Sequence, residues 1–147
     1  MPVRKKIAVI LSRFPYPLDK GDKLRAYHQI RYISRFHDVY LYTLCEEKIN
    51  STHFAAINSF CKEVKTYRLN RLGILLQTSL AFLKKIPIQV GYFYSPSIKK
   101  EITSSLLSLK PDVVYCQLSR TALYGKDLPF LITGNRPHRV STKVMKK

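Results

Sequence analysis

Short apolar runs alternate along the chain with segments whose apolar residues recur at helical spacing. The runs are rich in β-branched and aromatic residues, which predicts strands at 7–11, 39–44, 64–69 and 112–116. Helical spacing predicts helices at 23–36, 51–60, 72–83 and 97–109. The alternation predicts an α/β fold, a Rossmann-like parallel sheet with helices on both faces and right-handed crossovers.

Two of these helices have patterns that predict how they pack. In the first, Tyr27, Ile30 and Ile33 share an arc that we expect to face the sheet, and Asp22 is the expected N-cap. In the third, five leucines recur at helical spacing: Leu72, Leu75, Leu76, Leu80 and Leu83. We predict that they pack in the core, because such a sheet needs helices on both faces. The alternative is a helix on an anionic lipid surface, with cations at both of its ends: Arg68, Arg71, Lys84 and Lys85.

Length and charge restrict the class of protein. The 147 residues suffice for one domain, and 26 Lys and Arg against 9 Asp and Glu give a net charge of +17. We predict one domain over residues 1–130 and a basic tail over residues 131–147 that does not pack. Three cysteines without a CxxC pair indicate a reducing compartment, the cytoplasm, and are interpreted as packing residues. The four histidines lack paired-ligand spacing, so no metal is expected.

Candidate chemistry lies where strands end, because open parallel sheets bind ligands beyond the carboxyl ends of their strands. The relevant segments are 12–25 and 117–124, and the first combines several cations with Gly21 at a helix amino terminus, which favours an anion. A turn glycine, a capping aspartate and solvated cations explain the same residues equally well. Neither a GxGxxG fingerprint nor a Walker A motif is present.

The run RFPYPLDKGDKLRAYH, residues 13–28, directly follows the first predicted strand. It resembles the opening of bacterial family-four-like glycosyltransferases, enzymes with two Rossmann-like domains that build exopolysaccharides and other surface glycans. Residues 87–94, 110–114 and 124–129 resemble later landmarks of the amino-terminal domain of these enzymes. The resemblance therefore covers about residues 5–130.

The resemblance implies the acceptor-side domain of an enzyme that moves a sugar from a nucleotide-sugar to a glycan or lipid-linked acceptor. No tightly bound cofactor is implied, since the nucleotide-sugar is a donor substrate held by a second domain. We expect this chain, as a truncated form without that domain, to be inactive alone and to lie in the cytoplasm or at the inner face of the membrane.

The resemblance also suggests roles for individual residues, although it assigns no catalytic residue. The loop around Gly21 and Asp22 would lie near the donor diphosphate and the acceptor. Cations of the same segment would hold an anionic or hydroxyl-rich acceptor: Arg13, Lys20 and Arg25. His28 would lie near this cleft. Its other wall would carry Gln117, Ser119 and Arg120.

Two other classes of function remain open. The charge of +17, and the aromatic run 92–94 between the lysine pairs 84–85 and 99–100, are typical of an RNA- or DNA-binding module. The interpretation we favour for this run is a loop whose aromatics pack over the sheet. A noncatalytic subunit that complements a separate donor domain is the third possibility.

Overall fold

Five parallel strands form one sheet in the part of the chain that the structure, a computed structural model, describes: residues 3–117, 119–126, 128–129 and 131–134. They are β1 (Lys6–Leu11), β2 (Asp38–Cys45), β3 (Glu63–Arg68), β4 (Val113–Cys116) and β5 (Leu131–Gly134). Their order is β3-β2-β1-β4-β5, and all four neighbouring pairs are parallel. The predicted Rossmann-like α/β fold is confirmed.

Six α-helices and one 3-10 turn connect these strands within the described residues. The helices are α1 (Gly21–Ser34), α2 (Ser51–Asn58), α3 (Arg71–Leu83), α4 (Ile88–Phe93), α5 (Pro96–Leu109) and α6 (Ala122–Gly125), and the turn is Ser119–Thr121. The four predicted helices correspond to α1, α2, α3 and α5. Sequence periodicity missed α4, α6 and the turn, because each spans too few residues to show a period.

Each face of the sheet has its own hydrophobic core, which explains why the central strand β1 has a continuous apolar run without polar alternation. One core joins β1, β2 and β4 to α5, with Ile102 and Leu106 fully buried. The other joins β1 and β2 to α1 and α2, with Ile30 and Ile57 buried. The arc predicted for α1 does face the sheet, since Tyr27 and Ile33 pack against this second core.

The beginning of α1 differs from the sequence prediction. Lys20 is the N-cap residue, with extended backbone at φ −132° and ψ 146°, and no side chain caps the helix. Asp22 lies inside the first turn, so the prediction that it is the N-cap is wrong. A carboxylate in the first turn still interacts favourably with the positive end of the helix dipole.

The sheet also extends further along the chain than predicted. Leu131–Gly134 pairs with β4 at residues where the sequence predicts the start of an unpacked tail. This pairing covers the edge that β4 would otherwise expose. Parallel sheets are rarely left with a long unprotected edge strand. The remainder of the predicted tail, residues 135–147, lies outside the described residues.

The prediction that the leucines of α3 pack in the core is wrong. Leu72 and Leu83 are each 75% exposed, and the helix buries Ala81. The physical reason is α4, which turns Val90, Gly91 and Phe93 inward and provides the surface against which α3 packs. No helix in the described segments is long and apolar enough to cross a bilayer.

The aromatic run 92–94 lies in and directly after α4 rather than in a loop. Phe93 is buried, and Tyr92 and Tyr94 pack against the core between the sheet and α5. The Tyr124 hydroxyl fixes this segment, because it donates to the Phe93 carbonyl at 2.6 Å and accepts from the Ser95 N–H at 2.9 Å. The packing interpretation is confirmed, while the predicted loop is a helix.

Candidate functional site

A cleft of about 780 Å³ opens at the carboxyl edge of the sheet. The loop after β1 lines one side, and the segment after β2 with the start of α2 lines the other. Residues of α4 and Arg120, which follows β4, close it. The cleft borders the point between β1 and β4 where the strand order reverses, the position at which α/β sheets bind ligands.

Two arginines from different loops meet at one carboxylate beside this cleft. Arg13 Nη1 lies 3.6 Å, and Arg120 Nη1 3.8 Å, from the same oxygen of Asp22. Their guanidinium carbons lie 5.6 and 5.4 Å from the centroid of the Phe93 ring, which places both cations over that ring. Residues more than a hundred positions apart in the chain thus form one cationic cluster.

This cluster retains unused hydrogen-bonding capacity. The Arg120 Nη1 atom is buried and has no hydrogen-bond partner among the described residues. Its 3.8 Å separation from Asp22 is an ion-pair distance, too long for a hydrogen bond. A guanidinium has five N–H donors suited to carboxylate or phosphate oxygens. An oxyanion in the cleft would therefore accept the hydrogen bond that Arg120 Nη1 does not make to Asp22.

Hydrogen bonds from neighbouring residues position Asp22 and the loop in front of it. The Gln117 side chain is buried, and its Nε2 donates to the Asp22 carbonyl at 3.5 Å. Lys23 Nζ donates to Asp19 Oδ1 at 2.8 Å, and this bond lowers the pKa of the Asp19 carboxyl below its ordinary value. Both bonds act where the loop between β1 and α1 joins the helix, so they fix the first turn of α1 and the end of the loop before it.

The two sides of the cleft differ in charge. The β1 side carries Arg13, Lys20 and Lys23, with Asp19 paired to Lys23, and Arg120 joins Arg13 at Asp22. The side that follows β2 carries Glu46 and Glu47, together with Lys48. Aromatic rings lie between the two sides, and the Tyr16 and His53 rings are 5.1 Å apart. Such a cleft can bind phosphate by its cations, sugar hydroxyls by its carboxylates, and the apolar face of a sugar by its rings.

The structure gathers only part of the predicted site. Arg13, Lys20 and Arg120 line the cleft, and Asp22 and Gln117 support it from behind. Gly21 is the first residue of α1, and an added Cβ there would meet open space. Arg25 and His28 are exposed on α1 outside the cleft lining, and the His28 ring packs against Tyr27 at 5.3 Å. Ser119 begins the 3-10 turn.

Sequence reasoning missed several cleft residues. Glu46 and Glu47 directly follow β2, so the rule that pointed to the segments after β1 and β4 also points to them. Tyr16 and His53 carried no signal, since their proximity depends on how α2 packs. Phe93 was assigned to a packing loop, and its contact with the two arginines depends on α4, which has no visible period.

The cysteines have the properties of packing residues, as predicted. Burial raises the pKa of the Cys61 and Cys116 thiols to about 12, and burial also raises that of Cys45. Thiols with such pKa values stay protonated at neutral pH and are poor nucleophiles. Within the described ranges, no group of three or more His, Cys, Asp or Glu side chains is arranged to hold a metal ion.

Searches among protein families, characterised proteins and solved structures find no match to this chain. The fold defines its class as a Rossmann-like α/β domain, with a cleft at the carboxyl edge of its sheet.

Proposed function

We propose that this chain is the acceptor-side domain of a glycosyltransferase that moves a sugar from a nucleotide-sugar to a glycan or lipid-linked acceptor. One observation carries the proposal. Arg13 and Arg120 come together at the point of strand reversal, on the side of a cleft whose other side bears Glu46 and Glu47. The resemblance of residues 13–28 to the opening of such enzymes supports the same class.

The chemistry of sugar transfer fits the unequal charge of the two sides. A sugar diphosphate leaves as an anion, and a lipid-linked acceptor carries phosphate of its own. Guanidinium groups beside a helix amino terminus stabilise either anion. Carboxylates opposite them accept hydrogen bonds from sugar hydroxyls. In this proposal Arg13 and Arg120 bind phosphate, Lys20 adds positive charge, and Asp22 holds the two arginines in place until the ligand arrives.

The proposal requires a second domain for catalysis. In the enzymes that the sequence resembles, that domain binds the nucleotide-sugar, so no donor nucleotide site is assigned to the described residues. Transfer takes place in the cytoplasm or at the inner face of the membrane, where nucleotide-sugars are available. Sugar transfer from a nucleotide-sugar by the 147-residue chain alone would contradict this requirement.

The phosphate-binding role can be tested by NMR titration of the ¹⁵N-labelled chain with inorganic pyrophosphate. We expect shifts at the amides of Gly21, Asp22 and Lys23 and at the side-chain N–H groups of Arg13 and Arg120. Arg120→Ala should weaken binding at least tenfold, because a charge-assisted hydrogen bond contributes about 1.5–3 kcal/mol. Arg35→Ala, at the far end of α1, is the matched control and should leave binding unchanged.

A nucleic-acid binding assay separates this proposal from the alternative of an RNA- or DNA-binding module. Binding through net charge alone falls steeply with salt and shows little sequence preference. We therefore expect weak, nonselective binding of single-stranded oligonucleotides at physiological salt. Tight, sequence-selective binding that persists there, with pyrophosphate binding equal in the wild type and Arg120→Ala, would overturn the proposal.

A further inference from the structure

The orientation of α3 is opposite to that of an ordinary amphipathic surface helix. Its inward arc contains Ile74, Gln77, Thr78 and Ala81, of which two are polar. Apart from Ser79, its outward arc is apolar, and with the neighbouring Ile88 of α4 it forms a surface that we call the α3 face: Leu72, Leu75, Leu76, Leu80, Phe82, Leu83 and Ile88. These side chains are between 36% and 75% exposed, so a largely apolar surface faces outward.

The hydroxyl groups of α3 form hydrogen bonds within their own helix. On the outward arc Ser79 Oγ donates to the Leu75 carbonyl at 2.9 Å, and on the inward arc Thr78 Oγ1 donates to the Ile74 carbonyl at 2.7 Å. Serine and threonine hydroxyls that bond back to their own helix can enter an apolar medium without an unsatisfied donor. The α3 face can therefore be buried in hydrocarbon at little polar cost.

Positive charge frames the same surface. Residues 64–100 contain no acidic residue and seven cations: Lys65, Arg68, Arg71, Lys84, Lys85, Lys99 and Lys100. Arg71 is the first residue of α3, and Lys84 and Lys85 directly follow its last residue, so exposed cations stand at both ends of the face. A cation at a helix amino terminus opposes the helix dipole, and an external anion beside Arg71 would offset that repulsion.

We propose that α3 lies in the surface of an anionic lipid bilayer, with the α3 face among the upper acyl chains and the flanking cations at the headgroups. Thirteen residues make a helix of about 20 Å, which is too short to span the bilayer but suits an orientation parallel to its surface. Lipid is favoured over a second copy of the chain as the occupant of the α3 face. Two molecules of charge +17 repel each other, whereas anionic headgroups attract a chain of this charge. The proposal goes beyond the proposed sugar transfer and does not depend on it.

Vesicle flotation tests the apolar part of the proposal. The chain should float with vesicles of phosphatidylcholine containing about one third phosphatidylglycerol, and less with pure phosphatidylcholine. Leu76→Ser combined with Leu83→Ser should lower the bound fraction at least tenfold. Leu24→Ser combined with Leu107→Ser is the matched control, because these leucines are 42% and 48% exposed on α1 and α5, and it should bind as the wild type does.

A second double variant and its matched control test the role of the flanking cations. Lys84→Gln combined with Lys85→Gln should lower the bound fraction severalfold and remove the preference for phosphatidylglycerol. Lys5→Gln combined with Lys62→Gln removes the same charge at the opposite, amino edge of the sheet, where Lys5 precedes β1 and Lys62 precedes β3. This control should retain both binding and preference, because local rather than net charge is proposed to act.

A fluorescence measurement tests insertion without removing any leucine. The chain contains no tryptophan, so Phe82→Trp introduces a single reporter on the α3 face. Its emission should shift to shorter wavelength with anionic vesicles and be quenched by brominated acyl chains. Phe36→Trp, where the native side chain is 50% exposed beyond α1, should show neither change.

The opposite results would overturn the proposal. One is a wild-type chain that does not float with either vesicle. Another is equal loss of binding in the leucine pair and its control. A third is a wild-type oligomer without lipid affinity that Leu76→Ser and Leu83→Ser disperse, which would identify a second copy of the chain as the occupant. Circular dichroism of each variant ensures that a folded chain is compared.

Discussion

Helices α3 and α5 look alike in the sequence and are used in opposite ways. Each carries aliphatic residues at helical spacing over three or more turns. In α5 the stripe Ile98, Ile102 and Leu106 is at most 7% exposed and packs on the sheet. In α3 the leucine stripe faces outward, and two polar residues lie on the packed side.

The difference shows what hydrophobic periodicity does and does not determine. Period identifies the residues that share a helix face, because they recur every 3.6 positions. It does not determine whether that face meets the sheet, a neighbouring helix or another medium. For α5 the nearest apolar surface is the sheet itself. For α3 it is α4, and the contact with α4 uses small residues rather than leucines.

The largest expected difference in the free energy of unfolding comes from truncating one leucine to alanine in the α5 stripe and one in the α3 stripe. Leu106→Ala removes a fully buried side chain of α5 and should lower the free energy of unfolding by about 2–5 kcal/mol. Leu76→Ala on α3, where the side chain is 60% exposed, should change it by less than about 0.5 kcal/mol. Urea unfolding followed by circular dichroism measures both. Equal losses would show that the leucines of α3 are packed in solution.

The second effect tests the contact that separates α3 from the sheet. A Cβ added at Gly91 in α4 would lie 2.5 Å from the Ala81 Cβ and 3.0 Å from the Gln77 carbonyl oxygen, so α3 would have to move. Gly91→Ala should therefore lower the free energy of unfolding by about 1–3 kcal/mol, the usual cost of overpacking. A stability equal to the wild type's would mean that α3 and α4 do not pack this closely. The measurement is the urea midpoint, with the unfolding slope checked for constancy.

Most of the fold was predictable because it depends on local signals. The strands are short runs of β-branched residues, and alternation of strands with helices admits few topologies. The missed elements are those that local signals cannot reveal. α4 and α6 have six and four residues, and β5 is defined by its pairing with β4 within a segment of basic composition.

The candidate site was predictable only to the level of sheet geometry. The carboxyl edge follows from the parallel fold, which is why Arg13, Lys20 and Arg120 were found. The positions of Arg25 and His28 depend on which way each side chain of α1 faces, and both face away from the cleft lining. Arg13 and Arg120 meet at Asp22 and Phe93 only in the folded chain. Because more than a hundred residues separate the two arginines, no local sequence pattern predicts this contact.

A third effect concerns Cys116, which belongs to the same core as the α5 stripe. Burial raises the pKa of its thiol from 9.0 to about 12, so the folded chain keeps a proton that the unfolded chain loses above pH 9. The stabilisation is complete below pH 9 and is lost as the pH rises towards 12. Between pH 9 and pH 10 one such thiol should lower the free energy of unfolding by about 1 kcal/mol.

Urea unfolding at several alkaline pH values measures this loss. Cys116→Ala should make the decline between pH 9 and pH 10 shallower by the share of one thiol. Leu76→Ala, which leaves the core around Cys116 intact, should keep the slope of the wild type. A slope that is identical in Cys116→Ala and the wild type would show that this thiol is not shielded from water.

The smallest effect has the opposite sign and comes from the exposed side of α3. Gly73 lies within this helix, and a Cβ added there would have as its nearest neighbour the Asn70 Cβ at 3.9 Å, an ordinary contact. Alanine restricts the unfolded chain and favours the helix, so Gly73→Ala should raise the free energy of unfolding by about 0.5 kcal/mol. The same substitution thus stabilises the outer side of α3 and, at Gly91, destabilises the contact on its inner side. Parallel urea titrations of both variants give the two signs directly. A loss of stability in Gly73→Ala would mean that the outer side of α3 is already covered in solution, and the contrast with α5 would then be one of partner rather than of exposure.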